Sequence, residues 1–461
     1  MNLLLPGLGL DGSTPRPVIR WPAGALAWIA CALAAGPALA QPANAYRDAF
    51  IAFFPLYEMA RLRYLALEEP RNPARVDVNR FNHARRLLDH RARTVTAPNN
   101  DTLYSSAWLD LRHGPVTIAI PAMPGRYRSL QFMNAHTDNV AIVGRRNAGD
   151  GPLTVAVVGP GWSGPVPPHT HRVDSDTFEM WLLVRLLVDG PGDLAAVAAL
   201  QDAMRVEAPR PASEYPKPVS LPKEPGPEQF VDGVDAALRR NPANGAMAAH
   251  ALAARALGIT GDDAGGWARL PGAVRDGWTA AWPALKPALM AERNPAANAV
   301  GGWRYPPRDV GRWGTNLALR AVVALQGIAA LDVDEVLYLN TMDDAHGRPL
   351  DGGASYRLHI PPGGLPVDAF WSITMYEVQP DGRYFFTPNP IDRFSIGNRT
   401  RGLKTNPDGS IDVLMQHATP ADTTNWLPAP AGRFRLSLRN YLPAPALVEG
   451  RVPLPRIERL P

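Results

Sequence analysis

Apolar positions along the chain change their spacing several times, and each change marks a different kind of element. Between residues 44 and 68, Phe50, Phe53, Phe54 and Tyr57 recur at the interval of a helix face. Pro55 falls inside that run and is expected to kink or end its first turns. From about 94 to 180 short strand-like segments take over, at 116–120, 128–133, 140–143 and 153–158. Each is bounded by proline, glycine or Asn-Ala-Gly turn chemistry, which predicts an antiparallel sandwich. From 181 to 330 the composition turns helical. Segments 181–188 and 193–206 open that region, with Asp193 as N-cap after Pro191 and Gly192. Residues 209–227 are proline-rich and charged and read as a surface crossing, and alanine-rich stretches follow at 228–258 and 285–330. Strands return at 356–360, 370–377, 411–416 and 434–439, with Asp381-Gly382 and Asp408-Gly409 as short-turn signals. No internal repeat of fixed period is present. The expected organisation is a multidomain α+β chain: a leader over 1–40, a helix with a β-sandwich over 41–180, a helical region over 181–330 and a second β domain over 331–461.

The first forty residues carry a targeting pattern. Arg16 and Arg20 precede an apolar run from 21 to 35, and Ala38 and Ala40 supply the small residues of a signal-peptidase site. The run is too short for a permanent membrane span. A lipid anchor on Cys31 is disfavoured, because that residue lies inside the apolar stretch with Trp28 three positions before it. The expected location after cleavage near Ala40 is periplasmic or secreted. Cys31 is the single cysteine of the 461 residues, so a cleaved chain has no disulfide, thiolate metal site or cysteine nucleophile. The formal charge of +4 is spread among acidic residues rather than clustered, which argues against nucleic-acid or membrane-surface binding. Proline (49) and glycine (40) lie between short apolar segments, a sign of many turns rather than of a disordered block.

The stretch from Ala97 to Leu111, with Arg126, Arg128, Asp138, Asn139, Gly144 and residues 182–201, resembles the N-terminal domain of a family of secreted bacterial proteins, domain of unknown function 1254. Residues 369–393, Gln416, 425–430 and Arg439-Asn-Tyr441 resemble its usual partner, domain of unknown function 1214. The resemblance covers nearly the whole mature chain in the family's order. It implies an immunoglobulin-like sandwich, a helical insertion and a jelly-roll-like C-terminal sandwich, and it implies no reaction. His136 departs from the pattern, since relatives more often carry an aromatic residue before the Thr-Asp pair.

The chemistry-bearing residues concentrate in these stretches. Asn99, Asn100 and Asp101 lie between Pro98 and a strand, where they can either stabilise a turn or point into a cleft. In the functional reading Asp101 is the general acid or base, with Tyr104 orienting it or the ligand. Alternation puts Asp101 and Tyr104 on opposite faces unless a turn or bulge intervenes. On segment 370–377, Trp371, Ile373 and Met375 share one face and Ser372, Thr374 and Tyr376 the other. The hydroxyl face either meets solvent or lines a polar pocket, with Tyr376 as a ligand contact. No Gly-x-Ser-x-Gly elbow surrounds Ser372. Arg128 and Arg393 are candidates for gripping an anionic ligand, although Arg393 beside Asp392 can equally tie down its own loop. Trp426 is either a core plug or a sugar-stacking platform.

Metal signals are weak. His169 and His171 are the one closely spaced histidine pair and lack a third ligand, and Asp332, Asp334, Glu335, Asp343 and Asp344 lack calcium-loop spacing. No cofactor fingerprint is present. Two function classes remain: a periplasmic enzyme using acid–base chemistry on a small polar or carbohydrate-like substrate in a cleft between the β domains, or a non-catalytic binder of a carbohydrate or anionic ligand.

Overall fold

The computed structural model describes residues 42–93, 95–243, 245–292 and 299–461. The expected leader, its cleavage site and Cys31 lie outside the described residues. The architecture is mixed α+β, built from four sheets and a helical layer.

In the front half, a five-stranded antiparallel sheet runs Asn82–His83, Thr102–Asp110, Glu179–Leu187, Arg128–Asn134, Asn139–Gly144 in spatial order. A second sheet of four strands, His171–Asp174, Leu153–Val158, Val116–Ile120 and Arg205–Glu207, packs on it. Alternation supplies their shared core: Leu103, Ala107 and Leu109 meet Leu130, Phe132, Leu182, Val184 and Leu186, with Val116, Ile118, Val155 and Val157 from the other sheet. The pairing is not purely antiparallel, since Leu153–Val158 and His171–Asp174 run parallel.

Segment 181–188, expected to be helical, is instead part of the strand Glu179–Leu187, paired on both sides. Its apolar run is nearly continuous because both faces are covered, which removes the period-2 signature.

The rear half repeats the plan. A seven-stranded sheet holds Val336–Thr341, Phe434–Pro443 and Val367–Val378 at its centre, with Ser395–Gly397 pairing along Val367–Val378. A four-stranded sheet of Trp426–Pro428, Ile411–Gln416, Tyr356–Ile360 and Arg456–Arg459 faces it. Trp371, Ile373, Met375, Leu436 and Leu438 meet Leu358, Val413 and Met415 between the two.

The helical layer gathers Pro227–Arg240, Ala248–Ala254, Gly272–Ala291 and Leu317–Gly327 around the first helix, Ala43–Leu67. Pro55 does not end that helix, which continues another twelve residues to Leu67. Phe50 packs on Phe230 and Trp282, and Tyr57 on Phe230. Burial of residues 49–60 on nearly every side offsets the roughly 3 kcal/mol cost of an interior proline. No helix among the described residues is long and apolar enough to cross a membrane.

Front and rear halves belong to one compact unit. Their larger sheets turn their remaining faces toward one another. Tyr127, Ile142 and Leu187 from the front pack with Val336, Phe370 and Tyr441 from the rear, and the Phe370 and Tyr441 rings stack at 3.9 Å.

Candidate functional site

The polar residues of this junction meet around Asp101. The residue precedes its strand rather than lying within it, so the strict alternation no longer holds it on the face of Leu103. Asn99 forms the turn: its Oδ1 accepts the Asp101 backbone N–H at 2.6 Å, while its Nδ2 donates to the Tyr441 hydroxyl at 2.8 Å. Asn99 thus shapes the turn and reaches the rear half at once. The Asp101 carboxyl is buried and crosses the junction to accept from Ser372 Oγ at 2.6 Å and Ser395 Oγ at 3.4 Å.

Burial pushes the Asp101 carboxyl above the usual aspartate range, against the opposing pull of Arg439, Ser372, Ser395 and Tyr441. Arg439 is itself buried and donates to Thr374 Oγ1, to the Pro98 carbonyl at 3.2 Å and to the Tyr376 hydroxyl at 2.5 Å. Tyr376 in turn donates to the Pro98 carbonyl at 2.6 Å and stacks on Phe386. The hydroxyl face of the rear strand, with Ser372, Thr374 and Tyr376 all buried, therefore lines a polar interior and not solvent.

A second guanidinium approaches from the front sheet. Arg185 is buried, donates to Gln131 Oε1 at 2.8 Å and the Ala329 carbonyl at 2.9 Å, and lies over the Tyr104 ring at 5.3 Å. Tyr104 and Tyr338, one from each half, are half-buried and both bear electrostatically on Arg185. Burial pushes the Tyr338 phenol up to about 12. Tyr441 feels both Asp101 and Tyr104, the two residues singled out for catalysis. Beyond it, Tyr127 donates to Glu335 at 2.9 Å, and Arg146 reaches the other carboxylate oxygen at 3.2 Å.

The remaining candidates sit differently. Asn100 is half-buried, with its side-chain oxygen sealed from solvent and lacking a protein partner. Arg128 is buried within the front half, where it donates to the carbonyls of Pro121, Gly149 and Gly151. Arg393 ties its loop to the carbonyls of Thr423, Thr424 and Trp426. Trp426 is fully buried and donates from Nε1 to the Gln416 carbonyl.

Residues that sequence reasoning did not assign to the site are Ser395, Arg439, Tyr441, Tyr338 and Arg185. The signal for them is faint: Arg439 and Tyr441 are polar or amphipathic positions on the opposite face of a strand whose other face is Leu436 and Leu438. Two surface concavities lie elsewhere. One of about 770 Å³ is lined by Asp232, Arg239, Trp267 and Arg269, the other of about 270 Å³ by Val300, Tyr305, Arg308 and Val448. Among the described residues no group of three His, Cys, Asp or Glu is placed to hold a metal ion.

The fold and junction define a chain of two β modules joined face to face, with a buried acid where they meet. It belongs to the family that pairs two domains each described as "Protein of unknown function", DUF1254 over residues 78–208 and DUF1214 over 335–445, in that order. The VPA0106 protein of Vibrio parahaemolyticus has a similar fold, with a TM-score of 0.68 at 23% identity over 91% of this chain and 100% of its own. An uncharacterised protein from Burkholderia cenocepacia overlaps 87% of each chain at 16% identity and a TM-score of 0.44. No curated protein matches the sequence.

Proposed function

We propose that the chain is an enzyme of the periplasm or exterior that performs acid–base hydrolysis or elimination on a small polar substrate between the two β modules. We read the front module as immunoglobulin-like and the rear as jelly-roll-like. The observation that carries the reading is Asp101: a buried carboxyl raised above its usual range, hydrogen-bonded across the junction, beside Arg439 and Tyr441. Strongly perturbed acids with specific charge partners cluster at active sites. A buried aspartic acid that holds its proton more tightly than usual can give it to a leaving group and take one back from water. Tyr104, on the accessible side, orients the substrate, and Arg439 favours the ionised acid once its proton has left.

A non-catalytic binding role is the second reading. The favouring observation is that Asp101 already accepts from two serines and that its backbone N–H is held by Asn99, an arrangement that also suits a structural acid.

The test is a turnover and thermal-shift screen of the purified mature protein against sugars, carboxylic acids and phosphoesters, repeated with Asp101→Asn. Loss of turnover with retained secondary structure supports the acid role. Turnover unchanged by the substitution removes Asp101 from the chemistry.

A further inference from the structure

Buried guanidinium groups are ordinarily matched by carboxylates, as Arg63 and Arg320 are here, although Arg128 is satisfied by three backbone carbonyls. Arg63 meets Asp110 at 3.5 Å and Glu179 at 3.4 Å, and Arg320 meets Asp138 at 2.7 Å. The junction holds two buried guanidiniums close together with no carboxylate among their hydrogen-bond partners. The hydrogen bonds of Arg185 run to an amide oxygen and a backbone carbonyl, and its plane lies over the Tyr104 ring. Those of Arg439 run to a threonine, a phenol and two carbonyls, and its Nε is buried without a partner.

The two carboxyls nearby do not fully cancel this charge, since with Arg146 three guanidiniums share them. Glu335 is hydrogen-bonded by Tyr127 and Arg146 and also feels Arg185, so its one charge is shared between two guanidiniums. Asp101 is bonded to hydroxyls and feels Arg439, while burial opposes its ionisation. Two guanidiniums therefore meet in a junction that also holds two half-buried tyrosines, Tyr104 and Tyr338. Guanidinium forks and aromatic planes together suit a flat, negatively charged organic group.

We infer that the junction takes an organic oxyanion, a carboxylate or a phosphate monoester, with its charged end against Arg185 and its apolar part beside Tyr104 and Tyr338. This assigns a substrate class to the site and rests on the proposed reading of that site as the place of chemistry. Arg185 acts there as a binding residue and Asp101 as the acid.

The experiment measures binding of three probes to the full mature chain by calorimetry: benzoate, phenyl phosphate and the uncharged isostere benzamide. The expected result is binding of at least one oxyanion, weakened by added chloride, with benzamide at least about tenfold weaker, the scale of one charged hydrogen bond. Benzoate and phenyl phosphate separate the two sources of the charge. Equal binding of benzamide, or no binding of either oxyanion, overturns the inference. Arg185→Gln is expected to weaken oxyanion binding at least about tenfold. Should that variant not fold, Arg185→Lys and Tyr104→Phe carry the same test with the expected direction unchanged, and wild-type affinity in both places the anion elsewhere and sinks the assignment. The two proposals fail separately. Oxyanion binding retained by Asp101→Asn, with no turnover in any form, ends the catalytic reading alone, whereas Asp101-dependent turnover without charge selectivity ends this one alone.

Discussion

Ser372 donates a 2.6 Å hydrogen bond to Asp101 across the meeting of the two β modules, joining positions 271 residues apart in the chain. The bond places a carboxyl from the front turn among hydroxyls of the rear sheet, and its environment dictates how the protein responds to pH.

Because the folded-state pKa of Asp101 is raised, the folded protein binds a proton more tightly there than the unfolded chain does. Its contribution to stability is greatest below the unfolded value and declines as pH rises from there through the folded value. Asp101→Asn keeps the shape without the titration, so urea midpoints of the two proteins should draw together at low pH. The variant should gain relative to wild type as pH rises. A constant offset across the range would show that Asp101 does not titrate in this way.

Glu179 should behave oppositely. Burial pushes it up, but Arg63, Arg240 and Arg112 outweigh burial and hold it at about 2, below its ordinary 4.5. Its stabilisation is present above the unfolded value and is lost as pH falls from about 4.5 towards 2. Glu179→Gln leaves three guanidiniums short of a partner and is expected to cost about 3 kcal/mol at neutral pH. In urea titrations at pH 7 and pH 3 that cost should shrink at the lower value.

Tyr441→Phe keeps the ring stacked on Phe370 and deletes the hydroxyl that receives the Asn99 amide. A loss of about 1 kcal/mol is expected from the missing hydrogen bond. A larger fall in ligand response than in stability would place the phenol in the binding machinery.

Gly397 lies opposite Ser372, and an added Cβ would come within 2.2 Å of the Trp371 carbonyl oxygen, which cannot swing aside. Gly397→Ala should therefore displace the short strand carrying Ser395 and cost about 1–3 kcal/mol. Gly432→Ala, with nothing within 4 Å of the new carbon, is the control and should be near neutral in thermal unfolding.

Much of the β framework was legible because it obeys local rules. Strands Val116–Ile120, Leu153–Val158, Tyr356–Ile360 and Ile411–Gln416 occur with the bounds that alternation and turn residues predict. The strand Glu179–Leu187 carries no strand signature in the sequence, because a run covered on both faces has no period. The site was half legible. Asp101 and Tyr376 announce themselves as polar groups beside turns and strands, and both reach the junction. Arg185 and Arg439 do not, since an arginine on a strand ordinarily points to water, and only long-range sheet pairing puts these two indoors.

The stacked Phe370 and Tyr441 rings and the buried Asp101 carboxyl have a consequence for how such chains are assembled. Neither β half closes its own interior: each leaves an acid, a guanidinium or an aromatic plate that only the other can cover. A front half made alone would bare Arg185 and Asp101, and a rear half alone would bare Arg439 and Tyr376. Partnership between the halves is thus a condition of solubility as much as of chemistry, and splitting the gene at their boundary should yield two insoluble fragments rather than two smaller proteins.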